Sequence, residues 1–345
     1  DQSWQLINQF DDPRIEAYRL EKNQHICAAT NYGIAKIKGN YVARLDSDDL
    51  WYPEKIERQL TYMAENKDCK VCFTWCDFID ENGVNINHIE TDRVRLHEVA
   101  FVDQADAVER FYFRGNCLSH SSVLMEGKVM RDIGEYDAGY NQLHDLDYWM
   151  RIAKKYRIDV IQEKYMAVRR FIKQENLMTN MSNMSEGAEI RVFNEYMELR
   201  AHYFEGLSDD LLVKAFGKYF RKPGVLDSKQ LECEKAFLMC RPQDGWTGIP
   251  PAGLRRLHEL MIDEEMKQIL ENEYNFGIRD YYKLLENHLY DDSILQMKKR
   301  QLQDEIKLLE FEKENLCNEI QMYAGSTSWK ITKPLRALGN IRKRS

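Results

Sequence analysis

The amino-acid sequence predicts an α/β domain, followed by a helical region and a C-terminal coiled coil. In the first half of the chain, short apolar runs alternate with helix-like segments, and this alternation favours a mostly parallel sheet covered by helical layers. Strand patterns are absent between residues 185 and 290, and leucines recur every seven residues from Leu295 onward. A chain of 345 residues has room for two or three structural units.

The predicted α/β domain covers residues 1–172. Trp4, Ile7 and Phe10 share one helical face, so residues 1–10 are expected to form the end of a helix. The elements that follow are a short strand at 14–20, a helix at 27–38, a strand at 41–45 after the Gly39-Asn40 break, a helix opened by Pro53, and strands at 71–79 and 121–125.

Charge and cysteine content argue against several classes of protein. The net charge of −8 disfavours a general nucleic-acid binder, because such proteins usually carry a basic surplus. No run approaches the roughly 20 apolar residues that span a bilayer, and a signal peptide cannot be judged in a sequence that begins at Asp1. The eight cysteines are scattered, which favours a reducing compartment. Cys69, Cys72 and Cys76 have a zinc-like spacing, but their β-rich surroundings favour buried strand thiols.

The segment from residue 291 to 323 has the heptad pattern of a coiled coil. One core position holds Leu295, Leu302, Leu309, Leu316 and Tyr323, and the other holds Lys299, Ile306, Lys313 and Ile320. Because lysine occupies half of the second position, the pattern predicts a weak coil that would allow a homo-oligomer. The alternative is a single amphipathic helix that folds against its own domain.

Three carboxylates follow the apolar strand at 41–45. Asp46, Asp48 and Asp49 lie at its C-terminal end, the edge at which open α/β sheets bind ligands. In extended backbone Asp46 and Asp48 point the same way, and their mutual repulsion would favour a bound cation such as Mg²⁺ or Mn²⁺. The alternative is an acidic turn that caps the next helix.

The surroundings of these carboxylates resemble glycosyltransferase family 2. The resemblance rests on the run at 21–34, which contains the Asn-rich start of a helix, a glycine at 39, an apolar strand and then an Asp-x-Asp motif, and it covers residues 1–172. It implies the nucleotide-sugar-binding α/β fold called GT-A and a sugar transfer that depends on a divalent cation. In that family's arrangement Asp46 would lie near the nucleotide ribose, Asp48 would bind the metal, and Asn31 would lie beside the nucleotide.

A second acidic motif follows about a hundred residues later. His144, Asp145, Asp147 and Trp149 open an amphipathic helix after a Gly134-Glu-Tyr-Asp turn. Acidic residues favour a helix N-terminus, so capping alone accounts for one of them. The family resemblance implies that Asp145 is the general base, with Asp147 as the second candidate. His144 stands where the family usually has Glu.

Two further side chains have both a functional and a structural interpretation. Trp149 would either stack on an acceptor sugar or belong to the apolar face of its helix. His120, in a polar loop that leads into the strand at 121–125, would either touch the acceptor or pyrophosphate, or be a buried structural histidine.

The C-terminal residues 324–345 are basic and amphipathic. They contain no Asp or Glu, their basic residues are Lys330, Lys333, Arg336, Arg342, Lys343 and Arg344, and Ile331, Leu335, Leu338 and Ile341 share a helical face. Such a segment predicts binding to an anionic membrane surface on the cytoplasmic side, with a disordered basic tail as the alternative. The run around Trp329 also resembles the tails of bacterial surface-polysaccharide glycosyltransferases, whose acceptors are often lipid-linked.

The sequence therefore predicts an inverting glycosyltransferase that uses a nucleotide-sugar donor and a glycan or lipid-linked acceptor. A metal-dependent nucleotidyltransferase and a non-catalytic scaffold of a polysaccharide assembly complex are the alternatives. Asp1 aligns with the end of the family's Asp-Asp-Gly-Ser-Thr-Asp stretch, so the first strand-helix unit of the GT-A fold, with its base-recognition residues, is expected to be missing. The helical region 185–290 is expected to be a spacer or docking module.

Overall fold

A computed structural model describes residues 2–171, 186–287, 289 and 293–331. The chain forms two compact units, residues 1–290 and residues 291–345. In the part of the chain that is described, no helix combines the length and apolar character needed to cross a bilayer.

The first unit contains a five-stranded sheet in the order β1-β4-β3-β5-β2. Its strands are β1 (Tyr41–Ala43), β2 (Leu50–Trp51), β3 (Val71–Ile79), β4 (Leu124–Glu126) and β5 (Ile158–Arg169). Only β3 and β5 are parallel neighbours, and the other three pairs are antiparallel. The expectation of a mostly parallel sheet is therefore wrong. The two-residue β2 and the three-residue β4 run opposite to the longer strands beside them and do not form helix-connected parallel crossovers.

Seven helices accompany the strands of the α/β part over residues 2–171. They are α1 (Ser3–Ile7), α2 (His25–Ile34), α3 (Lys55–Glu65), α4 (Thr91–His97), α5 (Gln104–Arg114), α6 (Gly127–Ile133) and α7 (His144–Lys155). The strand expected at 14–20 is absent. Its alternating pattern is not sufficient, because a strand also needs a neighbour for its backbone hydrogen bonds.

Strand β3 and helix α7 meet in the hydrophobic core of this unit. β3 is buried along most of its length, as expected for its nearly continuous apolar run. On α7, Leu146, Trp149 and Ile152 have no exposed surface, and the Trp149 ring meets Phe73 of β3 edge-on at 4.8 Å between centroids. Removing a buried Trp side chain typically costs about 3–5 kcal/mol, so this packing fixes where the N-terminus of α7 lies.

The remaining helices of the first unit are α8 (Glu186–Ala201), α9 (Asp209–Phe216), α10 (Ser228–Met239), α11 (Pro251–Ile262), α12 (Glu264–Tyr274) and α13 (Ile278–Leu285). Tyr196 and Tyr203 of this helical region, together with Phe216, pack in the same hydrophobic core as Phe111 and Tyr112 of α5. A second cluster, formed by α10 to α13 and Phe276, lies within the helical region. Residues 186–220 are therefore continuous with the core of the α/β part.

In the second unit, residues 293–323 of the predicted coiled-coil segment lie within one continuous helix, α14 (Ser293–Gly325), which is followed by α15 (Thr327–Ile331). Leu302, Leu309 and Leu316 are all exposed on α14. The single chain thus confirms the helix but not its pairing with a second one. Residues 332–345, which carry most of the basic tail, lie outside the described residues.

Candidate active site

The first group of carboxylates lies in a tight turn after β1. The turn is closed by the Asp49 N–H, which donates to the Asp46 carbonyl at 3.1 Å. The extended backbone assumed for Asp46 and Asp48 is therefore wrong. Each of the three acids consequently has surroundings of its own.

Asp46 is held on both its backbone and its side chain. Its N–H donates to the Ser121 hydroxyl at 2.9 Å. Arg44 donates to the Asp46 carboxylate at 2.9 Å and, through another nitrogen, to the Thr30 hydroxyl of α2 at 2.8 Å. These contacts place Asp46 between α2 and the segment that enters β4.

Asp48 and Asp49 differ in how far they are engaged by the protein. The Asp49 carboxylate accepts the Arg169 N–H at 3.1 Å, and burial raises the pKa of Asp49 to about 6. Arg169 also donates from its guanidinium to the Asp48 carbonyl at 2.9 Å. The Asp48 carboxylate is half-buried and has no hydrogen bond or ion pair within the described ranges. Asp49 is therefore structural, and the Asp48 carboxylate is free to bind a ligand.

The second acidic motif places Asp145 in the first turn of α7. Asn116 donates to its carboxylate at 2.7 Å, and the Leu146 N–H donates to the other oxygen at 2.7 Å. Burial raises the pKa of Asp145, the neighbouring His144 and the Leu146 hydrogen bond oppose that rise, and the negative charge of Asp46 adds to it. The two acidic motifs are thus close enough to interact electrostatically.

His120 lies between the two motifs. Its Nδ1 is 4.0 Å from the Asp46 carboxylate, its Nε2 is 2.9 Å from the Tyr136 hydroxyl, and its ring centroid is 5.5 Å from that of His144. Burial, with Arg44 and His144 nearby, lowers the pKa of His120 well below its usual value. His120 is therefore neutral near pH 7, and its approach to Asp46 is not an ion pair.

Asn31 joins the same group from α2. Its side chain accepts the Tyr136 N–H at 2.8 Å and donates to the Tyr136 carbonyl at 2.9 Å. Because Tyr136 also contacts His120, the structure links Asn31, Asp46, His120, His144 and Asp145 in one polar cluster.

Two of the predicted site residues have mainly structural surroundings. Trp149 has no exposed surface, so a stacked acceptor sugar cannot reach its ring in this conformation. Asp147 accepts hydrogen bonds from Arg151 at 2.7 and 2.9 Å. Arg151 also donates to the carbonyls of Ile133 and Glu135, so Asp147 stabilises the turn that precedes α7.

Sequence reasoning did not identify four residues that hold the acids. They are Arg44, Asn116, Ser121 and Tyr136. Asn116 and Ser121 lie in the polar run around His120, and that run was the available signal. Their partners lie 29 and 75 residues away, so local pattern could not identify the contacts.

The residues present fit a cation that shares its ligands with a substrate. Over residues 2–171, 186–287 and 293–331, no group of three or more His, Cys, Asp or Glu side chains could enclose a metal ion. Mg²⁺ commonly uses one or two protein carboxylates and takes its other ligands from water and substrate phosphates. The free Asp48 carboxylate matches that pattern, whereas an all-protein cage is not formed.

Two sizeable cavities in the described part of the chain do not mark this site. A cavity of about 570 Å³ lies among α8, α10 and α11 and includes none of the predicted site residues. Another of about 430 Å³ touches Thr30, Arg44 and Tyr136, but most of its lining is apolar side chains of α2, β1 and β4. The candidate site is therefore defined by its side-chain geometry.

Several glycosyltransferases are similar in sequence to part of the chain. An uncharacterized glycosyltransferase of Methanocaldococcus jannaschii is 26% identical over 202 residues, covering 58% of this chain and 63% of the relative. The Escherichia coli O-antigen biosynthesis glycosyltransferase WbnJ is 30% identical over 141 residues, covering 41% and 50%. The putative teichuronic acid biosynthesis glycosyltransferase TuaG of Bacillus subtilis is 34% identical over 84 residues, covering 24% and 33%. The chain thus spans less than two thirds of these relatives.

Among solved structures, Staphylococcus aureus TarS 1–349 in complex with UDP is 13% identical, with 82% of this chain and 76% of that chain covered. The TM-score is 0.44, a likeness too low to establish a common fold. Residues 1–126 match the family model described as glycosyl transferase family 2. This part of the chain, which contains Asn31, Asp46 and Asp48, is a glycosyl transferase family 2 domain.

Proposed function

We propose that the chain is an inverting glycosyltransferase that moves a sugar from a nucleotide-diphosphate donor to a hydroxyl of a glycan or lipid-linked acceptor. The observation that carries the proposal is the placement of Asp145, a half-buried carboxylate with a raised pKa, in the same polar cluster as Asp46 of the acidic turn. The match of residues 1–126 to glycosyl transferase family 2 supports it. The names of WbnJ and TuaG favour a surface polysaccharide as the product.

Asp145 would remove the proton from the acceptor hydroxyl as that oxygen attacks the anomeric carbon. Its two oxygens are oriented by Asn116 and by the Leu146 N–H. A raised pKa brings a carboxylate closer to the operating pH and makes it a better base. In one displacement the new glycosidic bond forms, the bond to the nucleotide diphosphate breaks, and the proton ends on Asp145. The anomeric configuration is inverted without a covalent enzyme intermediate.

Asp46, Asp48 and Asn31 would serve the donor. Asp48 would hold Mn²⁺ or Mg²⁺ beside the diphosphate, and when bound the ion would neutralise the leaving group. Asp46, held by Arg44 and Ser121, would face the ribose, with Asn31 beside the nucleotide. His120 is neutral and buried, so it would support Asp46 and the pyrophosphate region, and His144 would shape the surroundings of Asp145.

Release of nucleotide diphosphate tests the proposed function. The chain is incubated with Mn²⁺ and a panel of UDP-, GDP- and dTDP-sugars, and the released phosphate compounds are separated. We expect nucleoside diphosphate from at least one donor. Release of inorganic pyrophosphate from a nucleoside triphosphate and a sugar phosphate would instead support the nucleotidyltransferase. No turnover of either kind would favour a non-catalytic scaffold.

For the C-terminal tail, we propose contact with an anionic membrane on the cytoplasmic side, where a lipid-linked acceptor would be presented. The support is in the sequence, since each basic residue near an anionic surface contributes about 1 kcal/mol. The intact chain should co-sediment with anionic vesicles and not with neutral ones, and a chain that ends at Tyr323 should lose this binding. Equal pelleting of the two chains would contradict the proposal.

The exposed face of α14 would pair with the same face of a second copy. Leu302, Leu309 and Leu316 are more than half exposed, which is unusual for three leucines at one heptad position unless they are covered. Analytical ultracentrifugation should show a dimer for the intact chain and for the chain that ends at Tyr323. A monomer in both would favour the isolated amphipathic helix.

A further inference from the structure

One carboxylate of the helical region binds the backbone immediately before α7. Glu195, on α8, accepts hydrogen bonds from the N–H groups of Asn141, Gln142 and Leu143 at 2.9, 2.8 and 2.8 Å. α7 begins at His144 and has no side-chain cap from its own N-cap residue. Glu195 therefore supplies, from a distant part of the chain, the acceptors for backbone donors leading into that helix.

The segment that Glu195 holds leads directly to the candidate base. The Asn141 carbonyl lies 3.2 Å from His144 Nδ1, so the loop that Glu195 binds also orients the His144 ring. Asp145 is the next residue. A shift of residues 141–143 would therefore move the start of α7 and the carboxylate that it carries.

Tyr196, the residue after Glu195 on α8, binds the helix end that precedes Asn116, the side-chain partner of Asp145. The Tyr196 hydroxyl donates to the carbonyls of Phe111 and Tyr112 at 3.0 and 2.9 Å, at the C-terminal end of α5. Asn116, which donates to the Asp145 carboxylate, follows that helix end by two residues. Two adjacent residues of α8 thus bind the loop 141–143 and the end of α5, the two segments that lead to Asp145 and to its partner Asn116.

We propose that Glu195 is a positioning residue for Asp145, acting through the loop that it binds before α7. The inference rests on the proposed role of Asp145 as general base. Glu195 is half-buried and both of its oxygens are used. An amide in its place would retain one acceptor oxygen and direct an NH₂ group at a backbone N–H, so the loop would no longer be held in register.

The test compares Glu195→Gln with Glu198→Gln in the full chain. Glu198 lies on the same helix, and its exposed carboxylate contacts His202 at 3.1 Å. We expect Glu195→Gln to lower kcat about 10-fold or more, as misplacement of a reacting group does, with the donor KM unchanged and Glu198→Gln behaving as wild type. In the Asp145→Asn background, Glu195→Gln should cause no further loss. An additive loss, or a loss seen mainly in KM, would overturn the proposal.

Hydrogen exchange separates the positioning role from the proposed function. Glu195→Gln should speed the exchange of the amides of residues 141–143 and leave those of β3 protected, whereas Glu198→Gln should change neither. Unchanged protection of the amides at 141–143 would overturn the positioning role of Glu195, whatever the activity of the variant. If the wild-type chain turns over no donor, the proposed function fails, and exchange alone decides whether Glu195 fixes the start of α7.

Discussion

Asp145→Asn is expected to lower turnover by at least about 10²-fold, the lower end of general-base contributions, while donor binding persists. The amide cannot accept the proton of the acceptor hydroxyl, but it retains nearly the shape of the carboxylate and can still meet Asn116. Turnover is measured as nucleoside diphosphate release in the presence of acceptor, and donor affinity by calorimetry. An equal loss of donor affinity would place Asp145 in the donor site or in the fold.

Asp147→Asn is the matched control for this substitution. Asp147 lies in the same helical turn, but its carboxylate is engaged by Arg151 at 2.7 Å. Its loss should weaken the Gly134 turn and affect stability more than turnover. If Asp147→Asn lowers turnover as much as Asp145→Asn, the assignment of the base is wrong.

The raised pKa of Asp145 also sets the direction of the pH dependence. Burial favours the protonated carboxyl, and only the ionised form can act as base. Turnover should therefore fall as pH is lowered, with a midpoint above the ordinary pKa of an aspartate side chain. Asp49, whose pKa is raised to about 6, titrates nearby, so the acidic limb should remain in Asp49→Asn if Asp145 is responsible.

Asp48→Asn is expected to abolish sugar transfer, and added Mn²⁺ or Mg²⁺ should not restore it. An amide is a neutral ligand, so it loses the charge attraction that holds a divalent cation against the donor diphosphate. The carboxylate has no partner to release within the described ranges, and thermal stability should therefore remain close to that of the wild type. The measurement is donor turnover over a range of metal concentrations.

Ser47→Ala is the control for Asp48→Asn, since Ser47 is the exposed residue beside it in the same turn. It should keep full activity and metal dependence. Full activity of the wild-type chain after exhaustive chelation would contradict the metal role, even if Asp48→Asn is inactive for another reason.

Local apolar patterns predicted the elements whose own apolar residues form a buried face. β3 occupies residues 71–79, as its apolar run indicates, and α7 buries Leu146, Trp149 and Ile152 at helical spacing. Strand direction was not predicted correctly, because it depends on which distant segment supplies the neighbour. Residues 14–20 alternate like a strand but form none, because no neighbouring strand pairs with them.

In the candidate site, too, some features follow from local sequence and others from contacts between distant residues. Asp46 and Asp48 have a local signal, because they follow an apolar strand, and the roles predicted for them and for Asp145 come from the family resemblance. Their surroundings come from contacts across the chain, such as Asn116 with Asp145, Ser121 with Asp46, and Glu195 with the loop before α7. Such contacts depend on the packed fold. The pattern of residues 185–290 predicted only a spacer or docking module, and it did not predict the core that residues 186–220 share with α5.

The anomeric configuration of the first released product tests the central claim most directly. With a donor that the chain turns over, proton NMR follows the sugar transferred to acceptor or water before mutarotation proceeds. A single displacement assisted by Asp145 predicts the configuration opposite to that of the donor. Retention of the donor configuration would contradict the single displacement and the role assigned to Asp145.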